Sequence, residues 1–206
     1  NAVDTLGFKS TGRCLPLNSL ENRVYEIEID RPESEIKSAS DNFVVAKFYR
    51  PGRWSEKQIL EEHEFMQDLE RAEVSVIAPL KIKGQTLFHL KQHNLFYTLF
   101  PKKGGRLPTE MSEDQLAILG RMLGRLHNIG KSKKAPHRLT INPETFGLMN
   151  LDFLLKNNFL PEKIKDSYEQ VVRQACDLMT PLFAPIKSHR IHGDCHWGNI
   201  ISRDNE

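Results

Sequence analysis

The chain contains no apolar run of the ~18 residues that a membrane-spanning helix needs, so no membrane partner is expected. Charge of one sign is also missing. Lys and Arg total 29, Asp and Glu total 27, and the net charge is +2. That balance leaves no electrostatic footprint for nucleic acid. Cysteine is scarce: Cys14, Cys176 and Cys195 are odd in number and widely spaced. They argue for a reducing compartment, the cytoplasm. The opening stretch NAVDTLGFKS has no apolar core, so no signal peptide is visible. It also has no initiating Met, and Asn1-Ala2 is set aside from fold reasoning. Internal repeats and low-complexity tracts are absent.

What is present is a chain of 206 residues, 39% hydrophobic and 27% charged. That suits one large domain or two small lobes with a real core. RVYEIEID (23–30) alternates with period two and predicts a half-buried strand. RPESEIKSASDN (31–42) is polar and turn-rich, hence a loop. FVVAKFY (43–49) is nearly all apolar and predicts a buried strand that ends at Pro51-Gly52. A helix follows, with Ser55 as N-cap and Gln58 completing a capping box. Its apolar face gathers Ile59, Met66 and Leu69. SVIAPL (75–80), TLFHL (86–90) and LFYTLF (95–100) read as three short strands, with turns at Gly84-Gln85 and His93-Asn94. Residues from about 10 to 100 therefore predict an antiparallel sheet of about five strands with one inserted helix.

PKKGGRLP (101–108) has no periodicity and reads as a linker or hinge. Beyond it the pattern is helical. Ser112 caps EDQLAILGRMLGRLHNIG, with a Leu116, Leu119, Leu123, Leu126 stripe and Gly130 as a C′ stop. PEKIKDSYEQVVRQACDLMTPLFAPI predicts another helix. The plan is α+β and bilobal: an N-lobe over 1–100 and a mainly helical C-lobe over 101–206. Ligands often bind between such lobes.

Two charged residues stand in apolar company. Lys47 lies in FVVAKFY and shares a strand face with Phe43, Val45 and Tyr49. It either snorkels off an edge strand or needs an anionic partner. Glu62 decides between these. On the helical wheel it falls between Ile59, Met66 and Leu69, so a carboxylate from the next helix is aimed at the core. An inert buried ion pair is the bland version, and such pairs are weak devices for stability. The position favours function, because protein kinases hold a phosphate-gripping strand lysine with a helix glutamate.

The sharpest pattern is His192-Gly193-Asp194 with Asn199 five positions beyond Asp194. His-x-Asp-x-x-x-x-Asn matches the kinase catalytic loop. An Asp there accepts a hydrogen bond from the attacking hydroxyl. An amide oxygen farther along ligates Mg²⁺, a hard cation that takes oxygen. Gly198 lets the backbone turn closely. A zinc site of His192, Cys195 and His196 fits no zinc spacing and lacks a fourth ligand. His192 and His196 read as structural supports, and Cys195 as a packing thiol.

IHGDCHWGNI resembles the catalytic loop of aminoglycoside phosphotransferase-like kinases, in which His-Gly-Asp replaces the His-Arg-Asp of eukaryotic protein kinases. LNSLENRVYEIE, FVVAKFYRPGRWS, QILEEHEF, APL…GQTLF, FYTLFPKKGGR, LGRMLGRLH and HGDCHWGNI are similar, along almost the whole chain, to the bacterial stress-response branch of that superfamily. That branch consists of cytoplasmic Ser/Thr protein kinases. HGDCH and KFYRP together point to the branch; His-Gly-Asp alone points only to the superfamily. The resemblance implies a bilobal protein-kinase-like fold using ATP and Mg²⁺. It makes Asp194 the catalytic base, Asn199 a metal ligand, Lys47 the phosphate-binding lysine and Glu62 its partner. Leu99, Phe100 and Lys102 fall in the adenine-contacting hinge. Ser19 and Asn22 fall in the loop that covers the phosphates. His127 becomes a structural support of the catalytic loop.

Three departures from the family pattern carry consequences. LNSLENR has no glycine, which predicts a stiffer lid that uses backbone N–H groups with Ser19 or Asn22. Gly193 removes one arginine partner for an activation-loop phosphate. A second metal-binding aspartate is expected about ten to twenty residues past Asn199. Asp204 is too close for that role, so the C-lobe is expected to be incomplete and this stretch alone not to turn over. The favoured reading is a Ser/Thr protein kinase. A kinase of small-molecule hydroxyls (choline-like, homoserine-like or aminoglycoside alcohols) is the alternative, and an inert nucleotide-binding fragment the second.

Overall fold

The alternating run at 23–30 folds as strand β2 (Arg23–Ile29), and the apolar run as β3 (Phe43–Phe48), in a computed structural model that describes residues 2–203. With β1 (Ser10–Leu17), β4 (Phe88–Leu90) and β5 (Leu95–Pro101) they form one five-stranded sheet in the order β1-β2-β3-β5-β4. Every neighbouring pair is antiparallel. The strand count matches the expectation, but the membership differs. SVIAPL is not a strand: it is pinned to β5 by a Leu80 N–H to Leu99 carbonyl bond of 2.7 Å, and Pro79 has no N–H to extend a ladder. β1 takes the fifth place as an edge strand. Its Pro16 is tolerated there.

β3 sits centrally, and its alternation sorts its side chains. Val44 and Ala46 are fully buried with Ile27, Ile29, Tyr97, Leu99 and Val3. Val45 and Lys47 face the other, half-covered side. The start of the chain belongs to this core, contrary to its exclusion above. Val3 is completely buried, and the Tyr97 hydroxyl donates to the Ala2 carbonyl at 3.0 Å.

Helix α1 (Glu56–Arg71) begins with the expected capping box. Ser55 Oγ accepts from the Gln58 N–H, and Gln58 Oε1 accepts from the Ser55 N–H. Its buried residues are Ile59, His63 and Leu69. His63 takes the depth that the helical wheel assigned to Glu62, and Glu62 stays half-buried beside it. Helix α2 (Glu113–Gly130) is capped by Ser112. Of its leucine stripe, Leu126 is buried, Leu119 and Leu123 are half-buried, and Leu116 is exposed. Gly130 is not a left-handed stop. It is the last helical residue, and a β-carbon there would lie 2.0 Å from the Arg190 carbonyl oxygen.

The hinge-like stretch is tied down. Arg106 and Ser202 exchange two backbone hydrogen bonds of 2.9 Å. Beside them, a β-carbon on Gly105 would overlap Ile201 Cγ2 at 2.1 Å, so a side chain at 105 would break this crossing.

The chain divides into two compact units: one built from residues up to Ala135 and again from Arg190 onward, the other spanning Pro136–His189. The second unit holds a wide helical turn (Glu144–Leu148) running into α3 (Met149–Lys156), and then α4 (Glu162–Phe183). α4 is the expected second helix; the turn and α3 were not foreseen. Pro143, Leu151 and Cys176 are the buried residues of this unit among those described.

Candidate active site

The first unit contains every residue singled out for chemistry among those described. Lys47 Nζ donates to Glu62 Oε1 at 3.2 Å. Their side chains are 23% and 29% exposed, so the pair is neither sealed in the core nor free on the surface. A ligand can reach the ammonium from the open side. The Tyr49 ring lies 4.8 Å from Nζ and adds a cation–π contact.

Behind the pair runs a buried polar chain that sequence reasoning missed. Tyr49 Oη and His63 Nε2 are 2.8 Å apart, and His63 Nδ1 and Thr86 Oγ1 are 2.9 Å apart. Thr98 Oγ1 in turn donates to the Thr86 carbonyl at 2.6 Å. Burial pushes the His63 imidazole down to about 4; nearby Glu62 pulls it up and Lys47 down. The signal was the position of His63, four residues after Ile59 on the apolar face.

The loop after Arg190 is exposed, and its two histidines act as braces. His192 Nδ1 accepts from the Asp194 N–H at 3.2 Å, and His196 Nδ1 accepts from the Gly198 N–H at 3.1 Å. Gly193 has a φ of +76°, which a side chain would oppose. Asn199 folds back on Asp194: its Nδ2 donates to the Asp194 carbonyl at 2.8 Å and to Oδ2 at 2.9 Å. Both contacts use the amide nitrogen. Asn199 Oδ1 and Asp194 Oδ1 therefore have no partner among the described residues. The Asp194 side chain is 74% exposed. Cys195 is exposed too, not the packing thiol expected, because the loop carries it outward.

These free oxygens suit a hard cation. Mg²⁺ commonly takes one or two protein oxygens and completes its shell with phosphate and water. Among the described residues no group of three or more His, Cys, Asp or Glu could hold a metal unaided. Asp204 lies outside the described residues.

The remaining expected contacts are placed less openly. Leu99 is fully buried in the sheet core, so its side chain cannot meet a ligand. Phe100 is half-buried. Lys102 Nζ pairs with Glu26 at 2.9 Å and lies over the Phe43 ring. In the loop before β2, Ser19 Oγ accepts from the Asn22 N–H at 3.2 Å, and Asn22 Oδ1 accepts from the Arg50 N–H at 3.4 Å. Glu21 pairs with Arg53. The glycine-free loop is thus tied to the β3–α1 connection. His127 is half-buried in the last turn of α2.

The model of the phosphotransferase enzyme family matches residues 13–206. The chain belongs to this phosphotransferase family. Within it, stress response kinase A of Shigella flexneri is 35% identical over 212 residues, covering 99% of this chain and 59% of that protein. The serine/threonine protein kinase RdoA of Salmonella typhimurium (strain LT2) is 38% identical over 195 residues, covering 92% and 55%. The chain therefore spans between 55% and 59% of the length of these relatives. Amicoumacin kinase hAmiN, solved with AMP-PNP, Ca²⁺ and Ami, superposes with a TM-score of 0.75 at 20% identity. The superposition covers 100% of this chain and 60% of that one, and it establishes the phosphotransferase-family fold: a five-stranded antiparallel sheet with helices. No helix among the described residues is long and apolar enough to cross a membrane.

Proposed function

We propose that this chain carries the phosphoryl-transfer machinery of an ATP- and Mg²⁺-dependent kinase whose acceptor is a protein Ser/Thr hydroxyl. The observation that carries the reading is the pairing of Asp194 and Asn199 in one braced, exposed loop, each with a side-chain oxygen left over. Membership of the phosphotransferase family supports it. The Ser/Thr acceptor rests on the relatives' names and on 35–38% identity to them. Three free thiols fit a cytoplasmic setting.

The residues divide the work. Lys47, steadied by Glu62 and by the Tyr49 ring, offers a positive charge to nucleotide phosphates. Asn199 Oδ1 would hold the metal ion, and Asp194 would orient the acceptor hydroxyl and accept its hydrogen bond. Bound Mg·ATP supplies the phosphoryl group and neutralises its charge. Catalysis by these side chains is then mostly positioning and electrostatics. The backbone of the Ser19–Asn22 loop would cover the phosphates. Phe100 and Lys102 would form the adenine-side hinge, with Leu99 behind it as core. The lobes meeting at this hinge are 1–100 and 101–206.

The test uses the full-length gene product with labelled ATP, Mg²⁺ and a generic protein acceptor such as myelin basic protein. Asp194→Ala is expected to lower transfer by at least about a thousandfold, the scale of losing a positioned base and its geometry together. Label transfer that survives the substitution overturns the assignment. Rapid labelling of a small alcohol with none on protein moves the acceptor to the small-molecule class.

A further inference from the structure

Arg190 is a buried arginine that none of the proposed chemistry uses. Its side chain is 6% exposed. Nη1 donates to Asp68 Oδ2 at 2.9 Å. Nε and Nη2 reach the carbonyls of Gly130 and Ile129, each at 3.4 Å. The guanidinium carbon lies 4.4 Å from the centre of the Phe65 ring. One planar group thus ties together α1, through Phe65 and Asp68, and the open carbonyl end of α2. A helix C-terminus leaves its last carbonyls unpaired and carries partial negative charge, so a cation is favoured there. Gly130 has no β-carbon because the Arg190 backbone passes where it would be.

What lies on either side of this clamp gives it meaning. Along α1, Asp68 follows Glu62 by six residues, about 9 Å of a rigid rod. Glu62 holds Lys47 on β3. Along the chain, Arg190 precedes Asp194 by four residues, with Gly193 in left-handed backbone between them. On its far side the loop is fastened by the Ser202–Arg106 bridge. Between the two fastenings, residues 191–199 are exposed. Where Asp194 sits relative to Lys47 therefore depends on the two anchors, and Arg190 is the one that grips the helix carrying Glu62.

We propose that Arg190 is a positioning residue: locked on Asp68, it couples the helix that holds Lys47 through Glu62 to the loop that carries Asp194. The proposal deepens the kinase reading and rests on it. A lysine cannot replace the arginine, because an ammonium cannot reach Asp68 and both carbonyls while lying flat on Phe65. Asp68 also receives Lys133 at 2.8 Å and Arg71. Losing Arg190 therefore loosens the loop without stranding the carboxylate.

The experiment compares full-length Arg190→Lys, Asp68→Asn, Asp194→Ala and the parent. Both clamp variants should lower kcat per folded molecule roughly tenfold or more, with the ATP KM within about twofold, because displaced groups rather than lost binding slow the reaction. Amide exchange, measured without ATP, supplies a second readout. The bonded amides of Asp194, Gly198, Asn199, Ile200 and Ser202 should exchange several-fold faster in both variants, with Val44 and Ala46 unchanged. Unchanged kcat, or unchanged exchange at those five amides, overturns the coupling. If kcat and KM fall only in step with the folded fraction, Arg190 is a structural pin and the proposal is wrong. An Asp194→Ala protein as active as the parent overturns the kinase reading separately, whatever the exchange shows.

Discussion

His63 is the residue whose chemistry is most constrained. It is 1% exposed and hydrogen-bonded on both ring nitrogens to neutral hydroxyls. Its folded pKa is about 4 against an ordinary 6.5. The unfolded chain therefore takes up a proton first as pH falls. The stability tied to neutral His63 is fully present above about 6.5 and is lost progressively toward 4, by about 3 kcal/mol in all. Asp4, Asp41 and Asp68 are held below the ordinary carboxylate value of 3.8, so their contribution is lost only at lower pH. For Asp68 burial pushes upward, and the bonds from Lys133 and Arg190 outweigh it. Urea midpoints at pH 7.5 and 5 should show the decline in the parent, and His63→Gln should flatten it. Lys47 and Glu62 were legible because a charge in an apolar pattern asks for a partner. His63 and Arg190 were not, because their partners lie far along the chain: Thr86 for one, Asp68 and Gly130 for the other.

Helix α2 offers a matched comparison at the scale of one element. Gly120 and Gly124 have open space where a β-carbon would stand; Gly130 does not. Alanine at 120 or 124 should raise stability by about 0.5–1 kcal/mol through helix propensity. Alanine at 130 should lower it by about 1–3 kcal/mol, since the obstacle is the Arg190 backbone and cannot swing away. Thermal melts of the three variants check this. The capping boxes of α1 and the Ser112 cap of α2 could be read directly, since capping is local chemistry. β1 could not. Six of its eight residues are exposed, so STGRCLPL carries no burial pattern to read. SVIAPL misled in the opposite way: its apolar residues pack, but Val76, Ile77 and Ala78 do so as irregular chain held beside β5.

Across the whole molecule the buried residues are unequally shared. The first unit contains Val3, Ile27, Ile29, Val44, Ala46, Ile59, Tyr97 and Leu99, among others, and the second contains Pro143, Leu151 and Cys176. Sub-global opening follows such differences. In this chain of 206 residues, amides of α3 and α4 around Leu151 and Cys176 should exchange at least about a hundredfold faster than those of Val44 and Ala46. Equal protection in the two units would contradict the expectation. The division itself was not legible, since nothing in the composition marks Ala135 or Arg190 as a place where the chain leaves one unit and returns to it.

That departure and return set an order of assembly. A chain leaving the ribosome completes β1 to β5, α1 and α2 before Arg190 has been synthesised. Asp68 meanwhile has Lys133, on the early side of the gap, to answer its charge at 2.8 Å. The Lys47–Glu62 pair can therefore form while the arm bearing Asp194 is still being made, and among the described residues that arm is the part of its unit that joins last.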